Sequence, residues 1–205
     1  MRRYLAIILS VLPLAASAQT PSLLDRFYAS LADSCVEFVY NYSARVSGLV
    51  NRGEGVLMSQ GSMWSVKGNG VEMYCDSETL WVVDPMMKEV VIEPASSEGD
   101  SAFLDNPALM FSRLSDNFKV TESRPLESGK LMMYTLRPLS DIGIIYFNVE
   151  LENPTAQIKR ASFAMSDGTL VKIEVSSMKL TPEVSLDAFK PVTAFGSDWI
   201  VTDLR

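Results

Sequence analysis

Short runs in which apolar and polar residues alternate dominate the chain, and they predict β-strands. In the longest run, Val36–Val46, Phe38 and Tyr40 share one side while Glu37 points to the other. Period-two alternation gives a strand one apolar and one wet face. Turn residues such as Asp167-Gly168 separate the later runs, as in hairpins. The pattern predicts about eleven strands in an antiparallel arrangement. The last five of them are predicted at Phe118–Glu122, Leu131–Arg137, Ile144–Leu151, Gln157–Met165 and Leu170–Leu180.

The stretch from Gly61 to Glu93 is read as four short strands in succession. Gly, Asp and Pro residues separate runs rich in Val, Trp and Tyr, which is typical of an antiparallel meander. Upstream of it, residues 48–53 are interpreted as a turn and Glu54–Ser59 as the returning strand. The predicted meander strands are Met63–Lys67, Val71–Asp76, Thr79–Asp84 and Lys88–Glu93.

Two stretches have helical periodicity instead. Thr20–Ala32 carries an apolar stripe that includes Phe27, and Thr20 or Ser22 is expected to cap it. Asn106–Leu114 begins with a good N-cap residue followed by Pro107. Strands followed by few helices predict the α+β class, in one domain covering residues 19–205.

The first eighteen residues resemble a secretory signal peptide. A basic start at Arg2 and Arg3 precedes an apolar run, and Ala16-Ser17-Ala18 is a small-residue cleavage signal. An N-terminal anchor helix is the alternative. Because Gln19 rather than Cys follows the cleavage point, no lipid anchor is expected.

Chain length and net charge further limit the possible size of the core and the possible binding partners. Cleavage of 18 residues from 205 leaves 187, enough for a sizeable core. Loss of Arg2 and Arg3 takes the formal net charge from −7 to −9. Since the basic residues are scattered, neither nucleic acid nor an anionic membrane surface is an expected partner. The protein is also expected to be a monomer.

The two cysteines, Cys35 and Cys75, allow one internal disulfide. An exported chain with an even number of cysteines favours a bridge, and two buried free thiols are the alternative.

The sequence lacks the residues that most catalytic mechanisms require. The chain has no His, which removes His-based nucleophilic catalysis and His metal sites. It also has no CxxC pair and no phosphate-binding glycine motif. Carboxylates such as Asp76 and Glu89 are interpreted as turn and surface residues rather than a catalytic pair. We therefore expect no enzyme, no metal and no cofactor.

Apolar surface remains as the candidate functional feature. Eleven methionines are many for this length, and their flexible side chains adapt to varied ligands. Each methionine taken alone is expected to fill a core. Together with a one-face-apolar sheet and two striped helices, they make a lined cavity an alternative.

Several motifs resemble the periplasmic outer-membrane lipoprotein carrier family, LolA. They are G-x-M-W ending at Trp64, D-S-E-T-L-W-x-x-D-P-x-x-K-E-V over Asp76–Val90, and N-P-A-x-x-F over Asn106–Phe111. The order of signal peptide, helix and long strand is similar as well, and in the tail Phe189 and a strand over Asp198–Leu204 look similar to the family's closing strand.

The resemblance implies an incomplete, half-open antiparallel β-barrel with helices covering the open face. It implies a soluble periplasmic carrier that takes lipoprotein acyl chains from an inner-membrane ABC transporter to an outer-membrane receptor. A lipid or lipoprotein sensor of the same fold is the alternative. The expected cavity residues are Phe38, Tyr40, Tyr42, Leu57, Trp64, Tyr74, Trp81, Val83, Met86, Met110 and Phe111.

Two positions depart from the family pattern. Gln60 stands where the family has an arginine that holds the lid through hydrogen bonds to carbonyls, and its amide can bond only without charge. Ser77 follows Asp76 where a glycine is usual.

Overall fold

One large open sheet contains nearly all of the regular structure. The computed structural model describes residues 21–32, 34–95, 117–192 and 194–205. Within these ranges twelve strands form a single sheet in the order β12-β6-β5-β4-β3-β2-β1-β11-β10-β9-β8-β7. Because β12 and β7 lie at its two edges, the sheet is not closed. The strands are β1 Cys35–Val46, β2 Leu49–Gln60, β3 Met63–Gly68, β4 Val71–Cys75, β5 Thr79–Asp84, β6 Glu89–Pro94, β7 Phe118–Leu126, β8 Leu131–Pro138, β9 Ile144–Glu152, β10 Ile158–Met165, β11 Leu170–Thr181 and β12 Ile200–Asp203.

All eleven predicted strands are present, so the α+β assignment with an open antiparallel sheet is confirmed for the described residues. β12 was not counted among the eleven, but it lies within the closing strand that the family resemblance implied at Asp198–Leu204, and its pairing with β6 is parallel. The predicted signal peptide and the second helix, with Met110 and Phe111, lie outside the described residues.

The one α-helix of the described part, α1 (Leu23–Ala32), packs on one face of the sheet. Ser22 caps it: the Asp25 amide donates to Ser22 Oγ at 3.1 Å, and the Ser22 amide donates back to the Asp25 carboxylate at 2.9 Å. Leu24, Phe27 and Leu31 are buried against the sheet. We call the face that carries α1 the inner face and the opposite one the outer face. The main apolar core therefore lies between α1 and the inner face.

The prediction that residues 48–53 form a turn is wrong. Only Ser47 and Gly48 turn, and β2 runs unbroken through Gly53 and Gly55. A Cβ on Gly55 would lie 2.8 Å from the Tyr40 hydroxyl, and one on Gly53 would lie 2.7 Å from the Tyr42 ring. The glycines are thus needed where neighbouring tyrosines lie flat over the strand, and they do not end it.

Residues 182–192 and 194–199, which we call the C-terminal strap, lie between the end of β11 and β12. A 3₁₀ turn at Leu186–Phe189 begins with Ser185, whose hydroxyl accepts from the Asp187 amide. Phe189 is fully buried. The strap then brings Phe195 and Trp199 onto the outer face of the sheet.

Candidate functional site

The inner face is the candidate site, and strand register defines which side chains it holds. Directly opposed residues of an antiparallel pair lie on the same face. Phe38 pairs with Leu57, and Leu57 with Val66, so one apolar row crosses β1, β2 and β3. The next row runs from Val36 through Ser59 to Trp64 and Cys75. Both rows continue into the core beneath α1.

Five predicted cavity residues lie on this face. Phe38, Leu57 and Trp64 are almost fully buried beneath α1, while Tyr40 and Tyr42 are half-buried farther along β1. The structure thus brings these five together: Phe38, Tyr40, Tyr42, Leu57 and Trp64.

The inner-face side chains of β1 become more exposed from the start of the strand to its end. Val36 is 1% exposed, whereas Val46 at the far end is 41% exposed. Its partner across the hairpin, Leu49, is 73% exposed. An apolar stripe therefore leads from the core beneath α1 out to the open end of the β1–β2 hairpin.

Tyrosine rings and glycines shape this stripe. Tyr40 and Tyr42 have ring centroids 6.5 Å apart and lie over Gly55 and Gly53 of the adjacent strand. The Asn69 amide donates to the Tyr42 hydroxyl at 2.6 Å, which fixes the position of the Tyr42 ring. The sequence interpretation missed the two glycines. The sequence did contain an indication: Gly53 and Gly55 are two residues apart, as are Tyr40 and Tyr42.

Three other predicted cavity residues lie on the outer face. Trp64 pairs with Cys75, so the adjacent Tyr74 points to the opposite side; Trp81 shares that side because it pairs with Tyr74. Val83 pairs with Val90 on the same side. With Ile92, these residues form a second core cluster covered by Phe195 and Trp199 of the strap. Tyr74, Trp81 and Val83 therefore cannot line a pocket with Trp64, which corrects the expected cavity.

Gln60 also lies away from the inner face. Its side-chain amide donates to the Val184 carbonyl at 3.3 Å and accepts from the Val184 amide at 2.8 Å. This two-bond contact ties the start of the C-terminal strap to the end of β2. In the described residues, Gln60 thus holds the strap, whereas the family resemblance assigned the position to a lid.

The predicted disulfide is not formed in the structure, where Cys35 and Cys75 are both buried free thiols. Cys75 is in one cross-strand row with Val36, so Cys35 points to the opposite face. Three strand spacings separate them, about 14 Å along the sheet, far beyond the ~7 Å Cα limit of a disulfide. Burial raises the pKa of both thiols.

Two buried polar atoms of the inner core lack hydrogen-bond partners. They are the indole Nε1 of Trp64 and the hydroxyl of Tyr28 on α1. Burial, together with the charge of Asp25, raises the pKa of Tyr28 to about 12. The Cys75 thiol, a weak acceptor, lies in the position directly across from Trp64.

The remaining predicted cavity residue, Met86, is at the tip of the β5–β6 hairpin and 87% exposed. It lines no pocket with the inner-face residues.

The turn that precedes β5 has Ser77 at φ 83°, the left-handed conformation for which the family uses glycine. Asp76 accepts from the Glu78 and Thr79 amides and pairs with Lys190 of the strap at 3.4 Å. Although burial opposes it, these contacts hold the pKa of the Asp76 carboxyl below its usual value.

A polar groove of about 800 Å³ opens elsewhere, beside Arg160. The Arg160 guanidinium donates to Glu150 at 2.6 Å and to Glu127 at 2.7 Å, and Lys159 pairs with Glu152 at 3.5 Å. Both Arg160 and Lys159 are therefore already paired with carboxylates of the protein.

Within the described ranges, no helix has the length and hydrophobicity needed to cross a membrane. The same residues contain no cluster of three or more His, Cys, Asp or Glu that could hold a metal ion.

Comparison with family models and with curated proteins gave no match. Among solved structures, the fold is similar to that of an uncharacterized conserved protein from Thermus thermophilus. The two share 13% sequence identity at a TM-score of 0.55, over 88% of this chain and 96% of that one.

Two further solved structures overlap at lower scores. A DUF1329 family protein from Desulfovibrio piger has 12% identity, a TM-score of 0.48 and coverage of 82% of this chain and 94% of its own. The LolA superfamily protein NE2245 from Nitrosomonas europaea has 10% identity, a TM-score of 0.43 and coverage of 82% and 96%. A LolA superfamily protein, the family that the sequence motifs resemble, is thus among the solved structures that overlap with this chain.

Proposed function

We propose that this protein is a carrier that binds the acyl chains of lipoproteins against its inner face. The observation that carries the proposal is the apolar stripe that leaves the core beneath α1 and, among the described residues, becomes exposed toward Val46 and Leu49. Contiguous exposed apolar surface on a water-soluble fold is typical of a binding site.

The chemistry of the stripe suits a saturated hydrocarbon chain. Tyr40 and Tyr42 lie flat because Gly53 and Gly55 leave room beneath them, so they offer ring faces and add no charge. Each buried methylene contributes ~0.8 kcal/mol, so one acyl chain of about sixteen carbons transfers with ~12 kcal/mol if fully covered. Partial cover on an open face keeps binding reversible, as a carrier requires.

The finer assignment rests on the sequence motifs. Resemblance over Asp76–Val90 to periplasmic lipoprotein carriers suggests the periplasm as location, an inner-membrane ABC transporter as donor and an outer-membrane receptor as acceptor. A sensor of the same fold would bind the same chains without passing them on.

Binding is tested with a fluorescent fatty acid and a synthetic lipopeptide, titrated against delipidated protein. Leu49 and Val50 are adjacent and both exposed, but they point to the inner and outer face respectively. Leu49→Glu is expected to weaken binding at least tenfold, because a carboxylate then lies on the apolar stripe. Val50→Glu is the matched control and is expected to bind like the wild type. Absence of binding, or equal loss in both variants, would refute the proposed site.

A second assay separates carrier from sensor. Labelled lipopeptide in donor vesicles is mixed with unlabelled acceptor vesicles and catalytic amounts of protein. A carrier raises the transfer rate in proportion to its concentration, whereas a sensor binds without accelerating transfer.

A further inference from the structure

The tip of the β5–β6 hairpin presents two adjacent methionines on a rigid turn. One carboxylate oxygen of Asp84 accepts from the Met86 and Met87 amides, each at 2.9 Å. Lys88, in the left-handed conformation at φ 54°, completes the turn. Its ammonium group pairs with Asp198 at 2.6 Å, and its carbonyl accepts from the Ile200 amide at 2.9 Å. Hydrogen bonds within the turn, together with the contacts of Lys88 with Asp198 and Ile200, therefore hold the tip in place.

Exposure distinguishes these two thioethers from the other described methionines. Met86 is 87% and Met87 65% exposed. All seven remaining methionines of the described ranges are half-buried. Four of them pack against the main core: Met73, Met132, Met165 and Met178.

Neither tip side chain supports the fold. Met86 and Met87 belong to neither apolar cluster, and the turn is held by backbone amides and by the Asp84 carboxylate. Oxidation of a methionine replaces an apolar sulfur with a polar sulfoxide. At the tip this change stays in water, but at a core methionine it places a polar group in an apolar environment.

We propose that Met86 and Met87 form an oxidation site that consumes hypohalous acids or peroxides before the packed methionines react. The sulfur lone pair attacks the oxidant, an S=O bond forms, and the O–Cl bond of hypochlorous acid breaks with release of HCl. Sulfur loses two electrons and chlorine gains them. The site requires no bound ligand and is independent of the carrier proposal.

The test is a stepwise titration of the folded protein with hypochlorous acid. After each addition, peptide fragmentation by mass spectrometry locates the added oxygen, and thermal unfolding gives Tm. In the wild type, about two equivalents, one per thioether, are expected to go mainly to Met86 and Met87 without a change in Tm. Later equivalents are expected to reach packed methionines and lower Tm.

The variant M86L/M87L retains apolar side chains of similar volume but has no tip sulfur. It is expected to add oxygen to Met73 and other packed methionines, and to lose Tm, from the first equivalent. M58L/M63L, which removes two half-buried methionines outside both apolar clusters, is the matched control and should behave like the wild type. Oxygen spread evenly over the methionines at low dose, or a tip variant as resistant as the wild type, would overturn the proposal.

Discussion

Substitution of Gln60 by alanine tests whether this residue holds the C-terminal strap. The amide of Gln60 makes one donated and one accepted hydrogen bond with the backbone of Val184, at 3.3 and 2.8 Å. Alanine removes both bonds and leaves the Val184 N–H and C=O without these partners. The strap would then depend on the packing of Phe189, Phe195 and Trp199 for attachment. Its ion pairs, Lys190–Asp76 and Lys88–Asp198, and the pairing of β12 would also remain.

The magnitude follows from these two bonds. A net contribution of ~0.5–1.5 kcal/mol per hydrogen bond gives a loss of about 2 kcal/mol in the free energy of unfolding. Gln60→Glu keeps the acceptor for the Val184 amide but turns a second oxygen toward the Val184 carbonyl, so about half of the stabilisation or less should remain. The order of stability is therefore wild type, then glutamate, then alanine.

Two measurements check the order. Urea unfolding gives the change in free energy, and hydrogen exchange followed by mass spectrometry shows where protection is lost. Faster exchange is expected in residues 182–199 but not in β8 and β9, which lie far from the strap in the sheet. Gln157→Ala is the matched control, because Gln157 is exposed and its removal should change neither quantity.

The outcome also distinguishes two roles for position 60. If Gln60 holds the strap, binding of a fluorescent fatty acid is unchanged in Gln60→Ala. A loss of less than 0.5 kcal/mol with unaltered exchange, or weakened acyl-chain binding with an intact strap, would refute the strap role and favour the lid contact that the family resemblance implies.

Four further predictions test other features. Ser77→Gly should raise the free energy of unfolding by about 0.5–1 kcal/mol in urea unfolding, since relief of a left-handed serine at φ 83° exceeds the entropy that glycine adds to the unfolded chain. Gly68→Ala should lower it by about 2–3 kcal/mol in the same assay, because the new Cβ would clash with the Glu54 carbonyl oxygen, a backbone atom that cannot swing aside. Tyr28→Phe removes an unpartnered buried hydroxyl and should stabilise by ~1 kcal/mol at pH 7. The wild type, with a folded-state Tyr28 pKa of about 12 against 10.0 for the ordinary group, should lose stability as the pH rises from 10 to 12, and the variant should lack that loss in unfolding curves across this range. If acyl chains bind the inner face, they should slow thiol labelling of Cys75 but leave that of Cys35 unchanged, because the two lie on opposite faces.

Strand positions could be predicted from the sequence because alternation and turn residues are local. Helix α1 was predicted for the same reason, together with Ser22 as one of its two candidate caps. Errors arose where a residue's role depends on a distant neighbour. Gly53 was interpreted as a turn residue, although it is the space beneath Tyr42 that requires a glycine there.

The two ends of the sheet show the same limit. β7 continues to Leu126 through Pro125, which an edge strand tolerates, and among the described strands β7 pairs with β8 alone. β12 has four exposed residues and therefore no alternating pattern. Its place beside β6 is determined by the path of the strap and by backbone pairing, neither of which the local sequence displays.

The division of the predicted cavity has a single physical origin in the register between β3 and β4. Alternation within each strand shows which residues share a side, but it does not show which side of β4 matches which side of β3. In the structure Trp64 is opposite Cys75, and a shift of one residue would place Tyr74 beside Trp64 instead. Because β5 and β6 continue the register of β4, that shift would bring Trp81 and Val83 to the inner face as well. The observed register instead directs them outward, where an apolar surface needs a cover. Phe195 and Trp199 of the strap supply that cover. The candidate lipid-binding surface of the described residues is therefore confined to β1, β2 and their neighbours on the side of α1.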